Sequence, residues 1–129
     1  MNTLATALYL IVGVINMIPV SGVLSASRLQ DLYGVTILDP NLIILMRHRA
    51  VLFGIIGAVL IAAAFHPPLQ TIAFIAGLVS MLSFVLIAYL VGELNAELRR
   101  VAFIDLVASL LLISAELITL WSGSRDPTA

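Results

Sequence analysis

Two side chains in this sequence are equipped to react if they meet: the guanidinium of Arg47 and the carboxylate of Asp105. Each lies inside a long apolar run, where an ionisable group costs roughly 2.5–3.5 kcal/mol or more at a helix centre. Asp105 opens a stripe with Ser109, Leu112 and Glu116, at spacings i, i+4, i+7 and i+11 that share one helical face. A carboxylate placed there can act as a general acid or base, with Arg47 stabilising developing negative charge. It can equally hold a bound molecule, or pair with Arg47 to fix helix register. The catalytic candidates are therefore Asp105 and Arg47. The ligand-binding candidates are Asn16, Arg47, His48, Tyr89 and Asp105.

The other three apolar runs also carry a polar or small face. Thr6, Tyr9, Gly13 and Asn16 align in the first, and Arg47 falls on the face of Gly54, Gly57 and Ala58 in the second. Ala73, Gly77, Ser80 and Phe84 form a mostly small stripe in the third, which lets backbones approach closely. At 1.5 Å per residue, Arg47 and Asp105 sit roughly 6–9 Å below the same boundary, because their helices start on the same side. Asn16 and Tyr89 reach that level from the opposite chain direction. The expectation is one polar layer of Asn16, Arg47, His48, Arg49, Tyr89, Glu97 and Asp105. Near the other boundary, Glu116 and His66 are close enough in depth to meet. His48 and His66 stand at opposite ends of one helix and the chain has no Cys, so neither a metal site nor a cofactor is expected.

The elements that must carry these faces follow from composition. Of 129 residues, 62% are hydrophobic and only 10% charged, with a mean hydropathy of +1.19. A soluble domain carries about 25% charged residues. A spanning helix needs roughly 20 apolar residues, so the chain can fill about four spans and little else. That excludes a separate extramembrane catalytic domain, and neither a GxGxxG nor a GxxxxGK[ST] motif occurs. All six cations are Arg and the net charge is −1, which gives no case for nucleic acid.

The expected architecture is all-α: a single domain over 1–129, built as an integral membrane four-helix bundle. Its spans run over about 4–23, 41–65, 69–91 and 97–121, followed by a polar tail at 122–129. The first is long for a signal-peptide core and no Lys or Arg precedes it, so despite the cleavage-like Ser25-Ala26-Ser27 it reads as a retained helix. Between the first two spans, Leu29, Leu32 and Tyr33 fall on one side and Arg28, Gln30 and Asp31 on the other, with Gly34 as a stop. This pattern predicts a short amphipathic helix at the interface. Asp39-Pro40 opens the second span as N-cap and N1, His66-Pro67-Pro68 breaks the chain after it, and Asn95 caps the fourth. Arg28, Arg47, Arg49, Arg99 and Arg100 gather on one side against Arg125 alone. The positive-inside rule makes that side cytoplasmic, with both termini outside the inner (plasma) membrane.

Leu32-Tyr33-Gly34-Val35, Asp39-Pro40-Asn41, the run Met46-Arg47-His48-Arg49-Ala50-Val51-Leu52-Phe53-Gly54 and Gly77-Leu78-Val79-Ser80-Met81 give the chain a familiar outline. It resembles a group of uncharacterised small bacterial four-helix membrane proteins, some of them labelled phosphopantetheine adenylyltransferase. More distantly, its size and helix count are similar to the DoxX-like superfamily. The adenylyltransferase label implies a soluble nucleotide-binding enzyme with a His-x-Gly-His motif; this sequence has neither, so that activity is rejected. The DoxX-like resemblance implies an accessory or redox-partner role and transfers no residue. Two functions are carried forward. One is a lipophile-binding protein or accessory subunit, with a quinone or other lipophile, a larger membrane complex or a second copy of the chain as partner. The other is a membrane-embedded isomerase or hydrolase using Asp105.

Overall fold

The computed structural model describes residues 2–125, which are all-helical apart from short connections. The helices are α1 (Thr3–Met17), α2 (Ala26–Tyr33), α3 (Pro40–Phe65), α4 (Gln70–Val91) and α5 (Ala96–Ser124), with 3-10 turns at Ile18–Val23 and Pro67–Leu69. Four segments, Thr3–Val23, Pro40–Phe65, Pro67–Val91 and Ala96–Ser124, are long and apolar enough to cross a membrane. This is the pattern of a multi-pass membrane protein.

Local sequence explains where each helix starts and stops. Asn2, Ser25, Asp39 and Asn95 act as N-caps, their side-chain oxygens accepting from Leu4, Arg28, Asn41 and Leu98 N–H groups. Gly34 ends α2 in the left-handed region at φ 65°, where a Cβ would also run into the Glu97 carboxylate. The first span is not one continuous α-helix. Pro19 has no N–H to donate, and the chain tightens into the 3-10 turn Ile18–Val23 at that point. Residues 122–124, expected to begin the polar tail, instead continue α5. Ser124 Oγ donates to Trp121 O at 2.8 Å, and the Arg125 guanidinium sits 3.7 Å from the Trp121 ring centre. The rest of that tail, 126–129, lies outside the described residues.

Each long helix packs on two others: α1 on α3 and α5, and α4 on α3 and α5. The α1–α3 crossing is the tightest, because a Cβ on Gly57 would come within 2.9 Å of Gly13 O and one on Gly13 within 3.1 Å of Gly57 O. Tyr9, Val12, Leu60, Ala63, Ala64, Met81, Ala108 and Leu112 fill the interior. The inward line of α4 runs through Ala73, Gly77, Met81 and Ala88 rather than through Ser80 and Phe84. That of α3 runs through Ala50, Phe53, Gly57, Leu60 and Ala64, leaving Ala58 exposed. Outward, Ile11, Ile44, Leu52, Ile55, Ile75, Leu86, Leu110 and Leu117 leave the exterior as apolar as the interior.

Candidate functional site

The site lies where the ends of α1 and α4 meet the starts of α3 and α5, under α2. Asn16, Asp105 and Ser109 are polar residues buried there. Asn16, 3% exposed, donates from Nδ2 to Val12 O at 2.9 Å and touches Met81 Sδ at 3.7 Å. Asp105 is 7% exposed. Its main-chain carbonyl accepts from Ser109 Oγ at 2.7 Å, but its Oδ2 is buried without a hydrogen-bond partner. Buried carboxylate oxygens are normally satisfied, and one that is not raises the question of what it is there to bind.

The space beside it is a cavity of about 230 Å³, lined by Asn16, Tyr33, Phe53, Arg100, Ile104 and Asp105 among others. The turn at Pro19 forms one wall, because the chain leaves the α-helical path at Ile18. The roof is α2. Its Leu29 and Tyr33 pack with Ile37, Met46, Leu98 and Val101, and Asn95 ties it down. Asn95 Nδ2 donates to Tyr33 O at 2.8 Å and to Gly34 O at 3.2 Å, while its Oδ1 caps α5. Burial pushes the Tyr33 phenol above its ordinary range; the Arg49 charge opposes this and Asp105 adds to it.

Arg100 lines the cavity itself, and Arg49 is the cation packed on the rings beside it. Its guanidinium lies 5.3, 4.9 and 5.1 Å from the ring centres of Tyr33, Phe53 and Phe84, within the range of cation–π attraction. The expected Arg47–Asp105 pair does not form: Arg47 and His48 are both exposed. Arg47 and Arg49 flank the line through Met46, Ala50 and Phe53 on opposite sides, since two residues turn an α-helix by about 200°. Tyr89 also leaves the predicted layer. It is 82% exposed, one residue past the inward Ala88. Glu97 sits over Gly34 at the rim instead of in the interior. Of the ligand-binding candidates, the structure brings Asn16 and Asp105 together and sets Arg47, His48 and Tyr89 apart.

Tyr33 and Arg100 line the cavity without having been assigned to it from sequence. The apolar side of the Leu29-Leu32-Tyr33 pattern was the available signal for Tyr33; nothing in the sequence marked Arg100 beyond its charge. Near the opposite boundary, Glu116 does not meet His66. Tyr9 donates its hydroxyl to Glu116 Oε2 at 2.9 Å, and His66 Nδ1 lies 3.2 Å from Ala62 O in its own helix. No protein-family model, curated protein or solved structure matches this chain, so the chemistry of the site rests on its own residues.

Proposed function

We propose that the chain is an integral membrane four-helix bundle that holds the end of a lipophile in the Asp105 cavity, with α2 lying along the interface as its cover. One observation carries this reading: Asp105, whose carboxylate has a buried oxygen with no partner, lines a cavity walled mostly by apolar side chains. Pockets of this kind, apolar walls with a few convergent polar groups, are what small-molecule sites consist of. Asp105 fixes the polar end of the ligand, and Asn16 and Tyr33 set its position. Arg100 stands at the mouth, and Ile15, Leu32, Phe53 and Ile104 embrace the body. The cluster of arginines at this end supports assigning it to the cytoplasmic side.

A second reading shares the observation. An unpartnered carboxyl beside a cavity is also what a general acid or base requires, and Asp105 would then move a proton on the bound lipophile. Native mass spectrometry of protein extracted gently from its own membrane is the direct test. One adduct of defined mass, lost in Asp105→Asn, supports the ligand site, and turnover of that compound by the unaltered protein alone supports the enzyme. A stoichiometric polypeptide partner with no small adduct would replace both with an accessory-subunit role.

A further inference from the structure

Arg49 has a second neighbourhood. On the side of the α3–α4 seam away from α1 lies an open groove of about 480 Å³, lined by Arg49, Leu52, Ile56, Ser83, Phe84 and Ile87 among others. It follows residues 49–56 of α3 and 80–87 of α4, roughly 10 Å of each helix. Its floor is hydrocarbon apart from Ser80 and Ser83, and Ser83 Oγ already donates to Ser80 O at 3.1 Å. The one full charge in it is Arg49. Three rings hold the guanidinium, which keeps it from extending freely to the membrane surface as Arg47 can. Rings satisfy the face of the group but not its five N–H donors. No hydrogen bond or ion pair joins Arg49 to any acceptor among the described residues.

We infer that this groove is a binding site for one anionic phospholipid, its phosphate on the Arg49 guanidinium and one acyl chain along Leu52, Ile56 and Ile87. Charge complementarity selects the head: a planar fork of donors matches phosphate oxygens two at a time. The groove selects an amphiphile over a free anion, because a water-soluble phosphate gains nothing from apolar walls that open outward at the exposed Leu52 and Ile87. The inference rests on the membrane embedding proposed above but not on any occupant of the Asp105 cavity.

The experiment titrates detergent-purified protein with dioleoylphosphatidylglycerol, dioleoylphosphatidylcholine or glycerol 3-phosphate, counting adducts by native mass spectrometry. The unaltered protein should retain the anionic lipid about tenfold better than the zwitterionic one, because phosphatidylcholine offers the same phosphate but brings a quaternary ammonium whose repulsion of Arg49 offsets the attraction. Arg49→Gln should erase that preference, and Arg47→Gln, on the same helix but exposed, should keep it. Ser83→Phe fills the groove from an exposed position and should also abolish retention, so the test survives if Arg49→Gln folds poorly. Equal losses from Arg47→Gln and Arg49→Gln, a preference that persists in Ser83→Phe, or efficient displacement by glycerol 3-phosphate would each overturn the inference. Asp105→Asn should leave the lipid preference intact, which separates this site from the cavity ligand.

Discussion

The two ends of α5 each present a carboxylate on one stripe, and the protein treats them in opposite ways. Glu116 is half-buried and accepts from Tyr9, a residue with no exposed surface, at 2.9 Å. Leu60, Ala63, Ala64, Ala73, Leu112 and Ala115 close the packing on that side. Eleven residues earlier Asp105 is more deeply buried, has Tyr33 nearby, and leaves an oxygen without a partner beside a cavity. A satisfied polar group stabilises the fold at modest net gain, whereas an unsatisfied one costs the fold its desolvation. Under the proposed function, the difference makes the Glu116 end structure and the Asp105 end the candidate site.

Substitutions sharpen the contrast, and the largest effect belongs to neither end. Gly57→Leu would drive side-chain carbons into the Gly13 main chain, which cannot yield as a side chain would. It should lower stability by about 3 kcal/mol and weaken both ends together, read as a fall in Tm in detergent. Tyr9→Phe should cost about 2 kcal/mol, because it strands the Glu116 carboxylate. A double cycle with Glu116→Gln should show the two changes to be strongly non-additive. If Tyr9→Phe left Tm unchanged, the structural assignment of that end would fall. Asn95→Ala removes both the α5 cap and the tie to α2, and should cost about 1 kcal/mol. Hydrogen exchange should then rise across Ala26–Tyr33 while the α3 and α4 interiors stay protected.

Much of this was readable from sequence, and the failures have one physical cause. Span lengths, the Asp39 and Asn95 caps, the Gly34 stop and the shared depth of Asn16 and Asp105 all follow from composition, capping chemistry and the helical rise. What did not follow was rotation about the helix axis. In a soluble helix the polar face gives the phase; in α3 the side turned to lipid is as apolar as the side turned inward. Leu52 and Ile55 outside are indistinguishable in type from Leu60 inside. The phase is set by small residues at crossings, such as Gly57 against Gly13, and choosing Arg47 over Arg49 missed it by two positions. The same ambiguity turned Tyr89 inward on paper and outward in the fold.

The smallest stability change should carry the most information. In protein washed free of bound lipophile, Asp105→Leu replaces an oxygen that lacks a partner with methyl groups that the adjoining 230 Å³ cavity has room to accept. Asp105 feels the Arg49 charge without a hydrogen bond between them, so no bonded pair is broken. Replacing a buried polar group that has no hydrogen-bonded partner with packed hydrocarbon removes its desolvation cost. Tm should therefore hold or rise, by about 0.5–1 kcal/mol in stability, where Glu116→Leu lowers it. A residue whose removal steadies the empty protein is retained for something other than folding. A clear fall in Tm for Asp105→Leu, matching that of Glu116→Leu, would make the two ends alike and turn Asp105 into a packing device.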